Sequence, residues 1–340
     1  MRPWGSLPGD DPERDRAETE AAIEAAGIDL HPAGPADHAH PHEHSRPGEP
    51  PVIGIVGAGA VGTALGVALT RAGWPVHAVA SRDVGRRERF RSLVKVSRAF
   101  ADPEPLVEEV ELIVLAVPDD VVAPLASGLR MYSGQAMIHT SGALGAEVLA
   151  PAMAAGTQIG SFHPLVAFAD TERAVEALHG ATIAIEADDQ LAALLGTMAQ
   201  AIGATAVRLA SGSKAAYHAA AVLAAGGFVA LLDAIAQLGR VAGLDEAGAL
   251  AIYGPLIEST LGNARALGIR AALTGPIVRG DSGTLRAHLG ALREHAPGAL
   301  DLYVAAAHRE IELAEARGSL PAAAATAMRE LLAGALARRD

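Results

Sequence analysis

The 340-residue chain contains no cysteine. Disulfides, thiolate metal sites and a cysteine nucleophile are therefore excluded, while the cellular compartment is left open. A surplus of positive charge is also missing. Lys and Arg number 27 against 39 Asp and Glu, giving a net charge of -12, whereas a surface that neutralises phosphates needs a clustered positive field. No nucleic-acid partner is expected. No uninterrupted apolar run reaches the roughly 18 residues of a membrane span, and the acidic first segment lacks the apolar region of a signal peptide. The expectation is a cytoplasmic enzyme acting on a small molecule, with no membrane partner.

What is present is a hydrophobic half, enough for about two domains of roughly 100 to 200 residues each. Residues 1–50 are rich in Pro, Gly, Asp, Glu and His, with one candidate helix from Glu13 to Ala26, and are expected to form a disordered tail. Its His31, His38, His40, His42 and His44 could share a divalent metal, but Pro41 argues against a preformed geometry, so no metal site is assigned. From Pro51 the pattern alternates short apolar runs with helices, the signature of a parallel sheet covered on both faces. Strands are expected at Val52–Val56, Val76–Ala80, Leu112–Ala116, Ala136–Thr140, Gln158–Ser161 and Thr182–Ile185. After residue 187 helices take over, which divides the chain into an α/β domain over 51–187 and a helical domain over 188–340. The stretch from Tyr217 to Leu238 is apolar on nearly all sides, so it should be buried between subunits or domains. A homodimer is expected.

Residues 52–62, ending Gly57-Ala58-Gly59-Ala60-Val61-Gly62, read as a buried strand, a glycine turn and a helix start. That layout seats a dinucleotide pyrophosphate: Gly57 makes the tight turn, Gly59 admits the phosphates, and Gly62 lets helix and strand pack closely. About 20 residues on, where an NAD enzyme carries an acid on the ribose, the chain has Ser81-Arg82. A hydroxyl beside a guanidinium suits a 2'-phosphate and favours NADP(H), although Asp83 could take the ribose if the strand ended later. Val117 and Pro118 close the next strand toward the cofactor, and Asp119 and Asp120 fit a helix start without any ligand.

Further along, His139-Thr140-Ser141-Gly142 and Ser161-Phe162-His163-Pro164 stand where strands end, the place where open sheets bind ligands. Each histidine could equally be a satisfied core residue. Lys214 and His218 lie four apart at the start of the long apolar helix and so share one face. A lysine there could reach solvent, but the helix dipole disfavours a cation at that end, and an amine against a carbonyl can donate a proton to a developing oxyanion. Arg279, in the Thr274–Asp281 loop, could clamp a carboxylate or pair with Asp281, itself a helix N-cap.

Together, Gly57–Gly62, His139–Leu144, Phe162–Leu165, Lys214–His218 and Thr274–Asp281 resemble a family of NADP-dependent oxidoreductases. That family pairs a Rossmann-like domain with a helical C-terminal domain of unknown function. The resemblance implies a doubly wound parallel sheet, then an all-α domain similar to the C-terminal domain of 6-phosphogluconate dehydrogenase. It also implies kinship with ketopantoate reductases, beta-hydroxyacid dehydrogenases and pyrroline-5-carboxylate reductases. In the beta-hydroxyacid dehydrogenases a catalytic Lys is followed four positions later by Asn, where this chain has His218. Narrower relatives often carry Ser-Asn where Ala225-Gly226 stand here, and His163-Pro164 is similar to the His-Pro pair of prephenate dehydrogenases. The expectation is an NADP(H)-dependent oxidoreductase for a small carbonyl or 2-hydroxy or keto acid, such as ketopantoate. Lys214 would donate the proton, Ser141, His163 and His218 would orient the reactants, and Arg279 would bind substrate. The alternatives are an NADP(H) sensor without turnover and a metal-carrying role for the His-rich tail.

Overall fold

The computed structural model describes residues 49–96 and 98–337. The expected tail, with its candidate helix and histidines, lies outside them apart from Glu49 and Pro50. The chain folds as two compact units, divided between Ala221 and Val222.

The first unit is built on β1 (Ile53–Val56), α1 (Ala60–Arg71), β2 (Val76–Ala80), α2 (Val84–Val94) and β3 (Arg98–Phe100). It continues through α3 (Glu104–Val107), β4 (Leu112–Leu115), α4 (Asp119–Gly128), β5 (Ala136–His139), a 3-10 segment over Ala146–Ala155 and β6 (Gln158–Pro164). It then runs through α5 (Thr171–Leu178), β7 (Thr182–Ala187), α6 (Asp189–Ala201), β8 (Thr205–Arg208) and α7 (Lys214–Val222). The eight strands form one sheet in the order β3-β2-β1-β4-β5-β6-β7-β8. The order reverses between β1 and β4, and the crevice beyond their carboxyl ends is where such sheets receive ligands.

Strand alternation splits the core between the two faces of the sheet. Ile53, Ile55, Leu112, Val114, Ile138 and Phe162 pack on one side, while Val56, Ala80, Ile113, Leu115 and Met137 pack on the other. This is why the central strands appear in the sequence as continuous apolar runs.

Three features depart from the sequence expectations. The sheet is not wholly parallel, because β6 and β7 run antiparallel, with Ser161 opposite Glu186 and His163 opposite Ala184. That pairing carries β6 past Ser161, where its ladder with β5 ends, so the strand reaches Pro164. The sheet also continues beyond residue 187, since β8 pairs with β7. The helical part therefore begins later than the expected boundary. Finally β3 and β8 are short strands at the two edges, with few buried residues to betray them.

The second unit is helical. It begins in the long helix that starts at Lys214, passes through a π-helical turn at Leu223–Gly227 and continues as α8 (Phe228–Val241). There follow α9 (Glu246–Leu267), α10 (Ile269–Ala272), α11 (Ser282–His295), α12 (Leu300–Ala316) and α13 (Ala322–Leu336). Leu285, Leu289, Leu292, Val304, Ile311, Met328 and Leu332 make its core. The helix Lys214–Val241 is long and apolar enough to cross a membrane by length and composition, though only 11% of its most apolar window is buried within the chain.

Candidate functional site

The turn after β1 is fixed by two close approaches. Gly57 has φ +107°, and a Cβ there would stand 2.1 Å from the Ala116 carbonyl oxygen, so only glycine fits. A Cβ on Gly62 would lie 2.0 Å from the Gly57 oxygen. At Gly59, by contrast, a Cβ would meet nothing within 4 Å, because that residue faces open space. Gly59 is also the N-cap of α1, with no side-chain cap and no acid in the first turn. The helix thus presents free amide donors and the positive end of its dipole to that space.

The space is a cleft of about 640 Å³ lined by Gly57, Ala58, Gly59, Ala60 and Val61, by Ser81, Arg82, Asp83 and Arg86, and by Val117, Pro118 and Thr140, among others. The donor set fits a dinucleotide: uncapped amides for the pyrophosphate and two guanidiniums at the far end. Asp83 is used locally, since its carboxylate caps α2 by accepting from the Arg86 N–H at 2.9 Å. Arg86, in the first turn of α2 and four residues beyond Arg82, escaped the sequence reading. Arg87, next to it, donates to the Ser81 carbonyl oxygen at 2.5 Å. This bond ties the Ser81 turn to α2.

A second cluster gathers around residues 139–142, whose Thr140 lines the cleft. Lys214 is 4% exposed, and its Nζ donates to Ser161 Oγ at 2.8 Å. Ser161 and His163 alternate onto one face of β6, while Lys214, Tyr217 and His218 share one face of the helix. The two periodicities mesh. Tyr217 Oη lies 3.3 Å from His163 Nδ1, and the His163 ring meets those of Tyr217 and His218 edge to face at 5.7 and 5.8 Å. Gly142 permits this closure, since a Cβ there would stand 2.3 Å from His218 Nδ1 and 2.7 Å from His163 Nε2.

Ser141 has a local task. Its Oγ accepts from the N–H groups of Ala143 and Leu144 at 3.1 and 3.0 Å, shaping the turn after β5. His139, fully buried, has its Nε2 3.0 Å from the Gly145 carbonyl oxygen. A carbonyl only accepts, so Nε2 carries the proton and Nδ1 is an unprotonated lone pair, with no partner among the described residues.

Electrostatics follow from burial. Desolvation lowers the Lys214 ammonium from its ordinary range, opposed by the negative charges of Glu186, Glu147 and Asp119. Burial holds His139 down at about 4, against the Gly145 hydrogen bond and with help from Lys214. His163 also lies at about 4, by burial first and then by Lys214 and His218. Tyr217 is raised by burial. Sequence reasoning missed Ser161 as the lysine's partner, Tyr217, Glu186 and Glu147; the antiparallel return of β7 is what brings Glu186 in.

Arg279 belongs to the second unit, exposed in the turn before α11. Asp281 caps that helix, accepting from the Thr284 N–H at 2.9 Å.

Fold and cleft define a dinucleotide-binding Rossmann-like domain followed by a helical domain. Residues 41–164 match the model of a Rossmann-like domain, and residues 181–310 match that of a domain of unknown function, DUF2520. The chain belongs to the family that joins these two domains. Among solved structures it is similar to putative NADP oxidoreductase BF3122 from Bacteroides fragilis, at 24% identity and TM-score 0.63, covering 77% of this chain and 98% of that one. Protein TM1727 from Thermotoga maritima matches at 25% identity and TM-score 0.60, over 78% and 99%. A 1-pyrroline-5-carboxylate reductase from Streptococcus pyogenes matches at 17% identity and TM-score 0.56, over 78% and 98%. No curated protein matches the chain.

The histidine environments make a stability prediction. In the unfolded chain both His139 and His163 titrate near 6.5, but in the folded chain near 4. Between those values the unfolded state binds more protons, so stability is full above pH 6.5 and is lost as pH falls toward 4. Allowing for partial solvent access, urea unfolding at pH 5 should show about 2 kcal/mol less stability than at pH 7 from this pair. A double His139→Gln, His163→Gln variant should lose most of that difference.

Proposed function

We propose that the chain is an NADP(H)-dependent reductase of a small carbonyl or imine compound, with a 2-keto acid such as ketopantoate as the first class to try. One observation carries this reading: a buried lysine with a depressed ammonium pKa stands in the cluster whose Thr140 lines the dinucleotide cleft. The names of the similar solved structures point the same way.

The glycine turn and the first amides of α1 would hold the pyrophosphate, and Arg82 with Arg86 would grip a 2'-phosphate. With Asp83 engaged as a helix cap, NADP(H) is favoured over NAD(H). The cofactor, when bound, supplies a hydride. The remaining chemistry belongs to the chain. Lys214 delivers a proton to the substrate oxygen or nitrogen, and its depressed pKa lowers the cost of that transfer. Ser161 fixes Nζ in place. His163, Tyr217 and His218 form the polar wall that orients substrate. Ser141 acts through the turn it shapes, and Arg279 is proposed to receive a substrate carboxylate.

The test is NADPH oxidation with 2-keto acids and cyclic imines as acceptors. Lys214→Ala should lower kcat by about 10²- to 10⁴-fold, the range for general acids, while leaving the Kd for NADPH within about twofold. Unchanged turnover in that variant would remove Lys214 from the chemistry. In the same assay Arg82→Ala should weaken NADPH binding about tenfold or more without affecting NADH, as loss of a charged hydrogen bond to the phosphate requires.

The chain is also proposed to act as a homodimer through its helical unit. Leu223, Val229, Ile252, Leu256 and Leu267 are all exposed by more than half, and a second copy of the chain would cover them. Burial of Lys214 against β6 argues against a membrane span, since the helix's first turn is already committed to the polar cluster. Light scattering should give about twice the 34.5 kDa chain mass, and Leu223→Asp with Leu256→Asp should shift it to one copy. A single-copy mass for the unmodified chain would refute the dimer.

A further inference from the structure

Glu186 does more than lend a negative charge to the surroundings of Lys214. Glu186, in β7, is 9% exposed and stands directly opposite Ser161 in the antiparallel ladder. Side chains opposite each other in such a pair emerge on the same face. Ser161 is the residue that accepts from Lys214, so the carboxylate and the ammonium converge on one patch of sheet.

On its other side Glu186 holds a turn. Its Oε2 accepts from the Ala146 N–H at 3.2 Å. The same peptide unit offers the Gly145 carbonyl oxygen to His139 Nε2. One amide therefore links the two side chains: imidazole N–H to carbonyl, and amide N–H to carboxylate. Hydrogen bonds in series polarise one another, so a negative Glu186 strengthens the carbonyl as acceptor and favours the Nε2–H form of His139. That leaves the buried Nδ1 as a lone pair.

We propose that Glu186 is a positioning residue serving both halves of the site: its charge maintains the buried Lys214 ammonium, and its hydrogen bond to the Gly145–Ala146 peptide holds His139 in a single tautomer. The assignment of Lys214 to catalysis rests on the reductase reading; the coupling of Glu186 to Lys214 does not. The groups facing Lys214 are Ser161 and His163 from β6, Glu186 from β7, His139 from β5, Glu147 from the 3-10 segment and Asp119 from α4, with Tyr217 and His218 on its own helix. Among the three carboxylates, Glu186 contributes the largest charge effect on the amine. It is also the one in register with the amine's hydrogen-bond partner.

The sequence makes the test direct, because the chain has only two lysines, Lys95 and Lys214. With lysine isotopically labelled at Cε, an NMR pH titration gives two signals, and Lys95→Arg identifies the one from Lys214. Glu186→Gln keeps a carbonyl oxygen for the Ala146 N–H but removes the charge. It should lower the Lys214 midpoint by about 1 pH unit, the effect of losing one close opposite charge, and leave Lys95 unmoved. Glu186→Asp should return the midpoint toward that of the unmodified chain. A midpoint unchanged in Glu186→Gln, or lowered equally by both variants, overturns the proposal. If neither variant folds, the unmodified chain decides: an NMR or crystal structure in which the Glu186 carboxylate does not accept from the Ala146 N–H also overturns it. The titration needs no cofactor or substrate. A chain that turns nothing over yet shows the shift keeps Glu186 in this role and loses the reductase reading, whereas turnover without the shift does the reverse.

Discussion

The bond from Lys214 Nζ to Ser161 Oγ is the constraint on which the site depends. It takes an ammonium out of water and gives it one neutral acceptor among the described residues, and desolvating a charge without full pairing costs several kcal/mol. Something must offset that cost, and three carboxylates at different points of the fold do so in part. Burial lowers the amine from its ordinary range while the charges of Glu186, Glu147 and Asp119 oppose that shift. On the proposed reductase reading, such an amine gives up its proton more readily than a solvated lysine. The same positive charge helps keep His139 and His163 neutral, so the wall around it carries lone pairs instead of competing cations.

Geometry of this accuracy comes from two regular elements meshing. Residues two apart on β6 meet residues three and four apart on the helix: Ser161 with Lys214, then His163 with Tyr217 and His218. Neither element could slip without breaking the pairing, because a one-residue shift of β6 would turn Ser161 and His163 to the opposite face. The register is held from outside the cluster, by the antiparallel ladder with β7. Gly142 closes the arrangement, with both histidine rings pressed against the place where any other residue would put a Cβ. Glycine serves the opposite purpose at Gly59, where the missing side chain leaves room for a ligand and not for a neighbour.

Much of this was legible in the sequence, for physical reasons. Strands buried on both faces must be apolar throughout, so β1, β2, β4 and β5 announced themselves. The glycine turn is legible because its close contacts admit no other residue. Lys214 and His218 were found as a helical pair at a place where a cation is disfavoured. What escaped is what depends on pairing between distant segments. Nothing local in Thr182–Ala187 says that the strand returns antiparallel to β6, and without that reversal Glu186 is one more acid in an acidic chain. The same reversal lengthens β6 and brings His163 into a strand. The two edge strands escaped for another reason: β3 has three residues and β8 is mostly exposed, so neither shows a buried period.

At Asp83 and Arg86 a local capping choice bears on the proposed ligand preference. At the end of β2 an acid could have met a ribose, and sequence alone left that open. In the fold, Asp83 commits its carboxylate to the Arg86 amide at the start of α2. Capping of this kind contributes about 1 kcal/mol to a helix, and it commits one carboxylate oxygen of Asp83, which itself lines the cleft, to the helix amide. The helix that Asp83 starts then carries Arg86 to the same cleft as Arg82. The same hydrogen bond thus caps α2 and sets Arg86 beside Arg82 in the cleft, the arrangement on which the proposed preference for NADP(H) rests.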